Sequence, residues 1–300
     1  MNFRLKSPVS SAELARELGL DHSGADAGIE AVAGLGHAQA GDLSFSSQVS
    51  IGDVAIGAIV ICRPDAAGRP GTGILAGNPR LAFIRALALL DAAPGFDRSD
   101  AGPVVDPTAR IGSNVVIEPG VTIGAGTWID HGVVLHRGTR IGRGCIVKAN
   151  SVIGGNGFGF ERDEEGRPVR FLHLGGVVIE DEVEIGALNT VVRGALGDTR
   201  VGARSKTDDH VHIAHNVVVG EDCLITACAE ISGGVTIGNR VWIGPNVSII
   251  DRIAIGEDAV IGLGAVVAKP VPAGATVTGN PAEEMRLFTR KRAAINALLK

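Results

Sequence analysis

Every sixth residue from Val105 onward is aliphatic: Val105, Ile111, Ile117, Ile123, Ile129, Leu135, Ile141, Val147 and Ile153 follow one another without a miss. A second run goes from Val201 through Ile213, Val219, Ile225, Ile231, Ile237, Ile243, Ile249, Ile255 and Ile261 to Val267, broken only at Thr207. Ile179, Ile185 and Val191 form a shorter set between them. Four residues after many of these stands a small or β-branched residue, as at Val115, Val121, Thr127, Val133, Val211, Val217, Cys223 and Val235. Helices repeat their apolar positions at 3.6 residues, so this period excludes them and points to short strands joined by turns. Two inward positions per hexad describe a mainly β chain wound as a parallel β-helix. Gly often follows the aliphatic residue, as at Gly112, Gly124, Gly142, Gly202, Gly220 and Gly238, where a tight corner favours a residue without Cβ. With three hexads per coil, residues 18 apart stack, and about eight coils build a prism roughly 40 Å tall.

The repeat accounts for most of a glycine excess of 43 in 300 residues. Tyr is absent and aromatics make up only 3%, which excludes a core of large rings, while an apolar share of 45% excludes a disordered chain. A net charge of -5 gives no reason to expect nucleic acid as a partner. Cys62, Cys145, Cys223 and Cys228 lack CxxC spacing and read as free thiols of a reducing compartment. No apolar stretch is long enough for a transmembrane segment, so a cytoplasmic protein is expected.

Residues 1–100 lack the hexads and read as a small α/β domain. Ser10 with Glu13 fits a capping box for a short helix ended by Gly19. Residues 54–62 are a strand candidate, and Asn78-Pro79 opens a helix through Leu90. A linker over 92–107 leads into a β-helix domain of residues 101–280. Two insertions interrupt it: a loop at 154–176, expected to be functional, and four residues between Val191 and Val201. A C-terminal helix over 281–300, with Glu283 at N3, carries Met285, Phe288, Ile295 and Leu298 beside the basic Arg286, Arg290, Lys291 and Arg292. Such a helix suits capping, trimerisation or an acidic partner.

The run from Thr207 to Asn216 concentrates the chemistry, with His210, His212 and His215 beside Asp208 and Asp209. Acyl transfer to an amine or hydroxyl needs a base for the nucleophile's proton, and imidazole titrates near neutrality. The 18-residue rule stacks Gly233 on His215. A coil without a side chain there leaves room for a thioester and offers an N–H to its oxyanion.

The array of an aliphatic residue, glycine and four further residues resembles the left-handed parallel β-helix of hexapeptide-repeat acyltransferases. That resemblance implies left-handed winding and a homotrimer with sites between subunits. Residues 36–48, the Gly155-Asn156-Gly157-Phe158-Gly159-Phe160 loop, the run Arg193-Gly194-Ala195-Leu196-Gly197-Asp198-Thr199 and Ile213-Ala214-His215-Asn216 more specifically resemble the UDP-3-O-acylglucosamine N-acyltransferase family of lipid A synthesis. The resemblance implies that His215 is the general base, Gly233 supplies the oxyanion N–H, Asp208 supports the His, and Phe45 stacks on uracil. It further implies substrate contacts from Asn156, Gly157, Phe158, Arg193 and His212. The implied donor is a hydroxyacyl chain on the phosphopantetheine of acyl carrier protein, the acceptor is a nucleotide sugar, and no bound cofactor or metal is expected.

The chain departs from the family where an N-P-x-Y motif would follow Phe45, since Ser47-Gln48-Val49-Ser50 stands there, and where a later His falls on Arg252. Its Gly279-Asn280-Pro281-Ala282 ending resembles hexapeptide acetyltransferases, which leaves acetyl-CoA or another short acyl-CoA as an alternative donor. A carbonic anhydrase-like zinc site using His210, His215 and His173 is a lesser alternative. An inactive sugar-binding or scaffold trimer is another.

Overall fold

The computed structural model describes residues 3–52, 54–68, 71–98, 101–279 and 282–298. The N-terminal part contains β1 (Phe3–Ser10), α1 (Ser11–Leu18), β2 (Asp21–Ser23), β3 (Gly28–Val32), β4 (Asp42–Phe45), β5 (Ile59–Cys62), β6 (Thr72–Leu75) and α2 (Pro79–Ala92). Its six-stranded sheet runs β1-β3-β4-β5-β6-β2, parallel through β3 to β6 and antiparallel at both margins. The expected α1 ends are present: the Ser10 hydroxyl accepts the Glu13 N–H, and Gly19 takes φ 67°. Glu13 pairs with Arg16 rather than completing a capping box. Asn78 caps α2 by accepting the Leu81 N–H, with Pro79 in the first turn. The expected strand over 54–62 shortens to β5, whose four residues are all buried.

From Val104 to Val277 the chain is a solenoid with three parallel sheets of eight, nine and eight strands, most of them two residues long. Registers such as Ile213↔Ile231↔Ile249↔Val267 place the aliphatic residues in vertical stacks. Ile213, Ile231 and Ile249 have at most 1% exposure. The core of the solenoid is continuous along its axis and separate from that of the N-terminal domain. Burial of one Ile per hexad, at about 1.5–3 kcal/mol each, supplies the cohesion that two-residue strands lack. Thr207, the break in the pattern, is also buried, and its hydroxyl accepts the Gly186 N–H and an Asn189 amide hydrogen.

The glycines after the aliphatic residues serve another purpose than the expected tight corner. Their φ is ordinary, but a Cβ on Gly124 would lie 2.6 Å from the Gly142 backbone, and one on Gly220 2.6 Å from Gly238. Glycine is needed because adjacent coils touch there. Left-handed backbone falls two residues later, occupied by Asn114, Asn150, Asn216 and Asn246 among others.

Stacked contacts 18 apart widen to 38 across the 154–176 insertion and to 22 across the shorter one. The longer insertion carries an antiparallel pair, Phe160–Arg162 with Pro168–Arg170. It docks on α2 through Arg80–Glu161 at 3.0 Å and Arg85–Glu164 at 2.6 Å, and Phe171 joins the N-terminal core. The insertion thus ties the two cores together.

At the far end, α3 (Met285–Leu298) is exposed along its length. It starts after the expected Asn280-Pro281 boundary, which lies outside the described residues; the Glu284 carboxylate accepts the Leu287 N–H instead. Met285, Phe288, Ile295 and Leu298 are exposed and contribute to no core among the described residues. Cys62, Cys145 and Cys223 are buried, and Cys228 is exposed. Among the described residues no helix is long and apolar enough to cross a membrane.

Candidate active site

A cavity of about 500 Å³ opens where the N-terminal domain, the insertion and the solenoid meet. Its wall includes Phe45 and Arg80 from the first, His173 from the second, and His215, Gly233 and Arg252 from the third.

His215 stands at a solenoid corner directly over Gly233. A Cβ on Gly233 would lie 2.6 Å from His215 Cε1 and 2.8 Å from Nε2, so glycine is what lets the ring lie against this coil. The Gly233 carbonyl accepts the Arg252 N–H, and among the described residues the Gly233 N–H has no acceptor. The Arg252 side chain forms one wall beyond, paired with Asp251 at 3.6 Å, and its permanently charged guanidinium excludes it as a base.

The group that orients His215 is Asn216, not the expected Asp208. Asn216 holds φ 60°, and its Oδ1 lies 3.3 Å from His215 Nδ1 while accepting the Ala195 N–H at 3.0 Å. A side-chain carbonyl oxygen only accepts, so Nδ1 carries the proton and Nε2 is left as the basic nitrogen. Asp208 lies on another solenoid face, in a recess with Lys148, Lys206 and Trp242, and accepts the Asp209 N–H. With six residues per face, a seven-residue separation from His215 carries it round the corner.

The insertion follows strand logic. Gly157 and Gly159 are buried against the imidazoles, while Asn156 and Phe158 alternate outward, Phe158 being 89% exposed. Phe158 packs on Phe160 at 4.9 Å, away from His215. Of the three expected substrate contacts here, only Gly157 abuts the His215 corner. Arg193 is turned away too: its Nε donates to the Gly154 carbonyl at 2.7 Å and Nη2 to the Arg137 carbonyl, so it pins the base of the insertion. That guanidinium lines a neighbouring cavity of about 310 Å³. His212 also lies outside the His215 cavity, with Nδ1 at 2.6 Å from the Thr190 hydroxyl, and burial pushes its pKa down.

Sequence reasoning named His173 only within the zinc alternative and missed it as a partner of His215 at an acyl-transfer site. Its ring meets that of His215 at 5.3 Å and 69°, and it is 5% exposed. Its Nδ1 donates to the Phe171 carbonyl at 2.9 Å, and burial pushes its pKa down to about 4. Phe45, half-buried in the cavity wall, rests on Phe83 at 4.7 Å, which in turn packs on Phe171 at 5.9 Å. This chain of rings fixes His173 relative to the N-terminal domain.

The zinc alternative does not assemble. Among the described residues no three His, Cys, Asp or Glu side chains converge as metal ligands, and His210 does not line the cavity.

Residues 120–155 and 234–269 match the family described as bacterial transferase hexapeptide (six repeats), and residues 216–251 match the hexapeptide repeat of succinyl-transferase. The UDP-3-O-acylglucosamine N-acyltransferase of Pseudomonas aeruginosa (strain LESB58) is 41% identical over 251 residues, covering 74% of this chain and 71% of that protein. The protein of that name from Caulobacter sp. (strain K31) is 40% identical over 147 residues, or 49% of this chain and 43% of the relative, so that match spans less than half the relative's length. Among solved structures, LpxA from Acinetobacter baumannii has a TM-score of 0.55 at 26% identity, covering 65% of this chain and 75% of that one. UDP-N-acetylglucosamine acyltransferase of Francisella novicida, at 0.52 and 23% identity over 63% and 71%, shares the fold. The UDP-3-O-acylglucosamine N-acyltransferase of Maricaulis maris (strain MCS10) is 44% identical over 310 residues, 93% of this chain and 89% of that protein. An identity carried across the N-terminal domain and the repeats alike makes this chain a member of the UDP-3-O-acylglucosamine N-acyltransferase family.

Proposed function

We propose that the chain transfers an acyl group from a thioester to the amine of a UDP-linked, acylated glucosamine in lipid A biosynthesis, with His215 as general base. The observation that carries this reading is the single cavity that joins His215, over the side-chain-free Gly233, to Phe45. His215 Nε2 takes a proton from the amine as nitrogen attacks the thioester carbonyl. The Gly233 N–H donates to the oxyanion that forms, and the imidazolium returns its proton to the departing thiolate. Phe45 offers an aromatic surface for the nucleobase.

A hydroxyacyl chain on the phosphopantetheine of acyl carrier protein is the donor in this reading. The basic face of α3, with Arg286, Arg290, Lys291 and Arg292, suits an acidic carrier, and its exposed Met285 and Phe288 suit a homotrimer. A cytoplasmic reaction is part of this reading, in keeping with a chain that lacks CxxC spacing.

A donor screen tests the reading. With UDP-3-O-acylglucosamine as acceptor, hydroxyacyl carrier protein should be consumed with release of its thiol, and acetyl-CoA should not. Turnover with acetyl-CoA alone would move the donor assignment to a short acyl-CoA. Tight nucleotide-sugar binding without turnover of any donor would overturn the enzymatic reading.

A further inference from the structure

His173 presents an acceptor that the protein itself leaves unused. Its Nδ1–H is committed to the Phe171 carbonyl, so Nε2 carries a bare lone pair. With its pKa near 4 the ring is neutral at ordinary pH. Among the described residues, this Nε2 is one of two buried side-chain polar atoms without a hydrogen-bond partner, the other being Ser44 Oγ. Buried polar atoms are almost always paired, so an orphan beside a cavity points to a partner supplied by a ligand.

Gly157 crosses this side of the two rings without a side chain. A Cβ there would lie 2.7 Å from His173 Nε2 and 3.1 Å from His215 Cδ2, too close to fit, so only glycine can pass here. Gly159 repeats the close approach, since its Cβ would lie 2.8 Å from His173 Cε1. The insertion therefore brings backbone alone over the two imidazoles, and both rings line the cavity into which a substrate amine would enter.

We propose that His173 selects an amine over a hydroxyl as the group to be acylated, its Nε2 accepting a hydrogen bond from the N–H that the nucleophile keeps. This deepens the acyl-transfer reading above and rests on it. A primary amine has two N–H bonds and a lone pair. With one hydrogen on His173 and the other on His215, the lone pair is aimed at the carbonyl carbon. As the C–N bond forms, the carbonyl π pair moves to oxygen and His215 takes one proton. When the C–S bond breaks, the electron pair leaves on sulfur and the proton passes from His215 to that thiolate. The second N–H remains on the product amide and on His173 throughout. A hydroxyl has one O–H, so it cannot engage both imidazoles.

The test compares wild type, His173→Leu and His173→Gln, each checked for folding by thermal melting, with UDP-3-O-acylglucosamine and its 2-hydroxyl counterpart UDP-3-O-acylglucose as acceptors. In His173→Leu, kcat for the amine should fall about tenfold or more, as for one lost hydrogen bond, while transfer to the hydroxyl changes less than twofold. His173→Gln, which keeps an acceptor at similar reach, should restore most of the amine rate. Equal losses for both acceptors, or none, would overturn the assignment. Independently of turnover, the ¹⁵N resonance of His173 Nε2 in the wild type should move upfield on binding the amino sugar nucleotide, and an unmoved resonance would also overturn it. Failure of the wild type to acylate anything would instead overturn the acyl-transfer reading.

Discussion

The imidazoles of His173 and His215 meet edge to face with ring centroids 5.3 Å apart, one on an insertion docked to the N-terminal domain and the other on a solenoid corner. Neither the repeat array nor the N-terminal domain contains this pair alone. The site exists only when the three parts pack together, so changes at the docking surface reach the chemistry.

Gly233 should be intolerant of the smallest side chain for reasons of catalysis rather than folding. A Cβ there intrudes to 2.6 Å from the His215 ring, yet the corner borders a cavity. Gly233→Ala keeps the N–H but displaces the His215 ring, so kcat should fall by about 100-fold, as for a misplaced reacting group, with the melting temperature nearly unchanged. Steady-state kinetics beside thermal melting checks this, and unaltered kcat would refute the role given to this glycine.

His173 should make stability depend on pH below neutrality. Its pKa falls from 6.5 to about 4 on folding, so between those values the unfolded chain binds the extra proton. The contribution is complete above about pH 6.5 and declines as pH drops toward 4, by up to about 3 kcal/mol. His173→Gln removes the titrating group. Melting curves from pH 7 to 4 should therefore fall more steeply for the wild type than for the variant, and parallel curves would show that His173 is not buried as a neutral ring.

Arg80 holds the insertion from two sides, pairing with Glu161 at 3.0 Å and lying over the Phe171 ring at 5.5 Å. Both contacts are partly exposed, so Arg80→Ala should cost only about 1 kcal/mol of global stability. Its local effect should be larger: hydrogen exchange across 160–171 should accelerate and kcat should fall through the misplacement of His173. Unchanged exchange there would mean that the Phe171 core alone anchors the segment.

The fold was legible because each hexad makes the same physical demand, so errors at single positions such as Thr207 do not matter. His215 and Gly233 were legible for the same reason, since an uninterrupted 18-residue register stacks one on the other. That register fails at the 154–176 insertion, where the offset becomes 38, and His173 is hidden inside the interruption. The sequence does not single out Asn216, because its role depends on a left-handed corner that any of the thirteen described non-glycine residues with positive φ could have held. The resemblance that put Asp208, Asn156 and Phe158 at the site carried residue types forward without their directions. Six residues per face and the alternation of Gly157 with its neighbours decide those directions, and both place these side chains elsewhere.

The most direct test is the rate of acyl transfer to the amine of UDP-3-O-acylglucosamine by His215→Ala, measured in a single turnover with saturating donor and acceptor. Loss of the general base predicts a rate lower by about 100- to 10,000-fold with nucleotide-sugar affinity retained. A rate equal to that of the wild type would contradict the account.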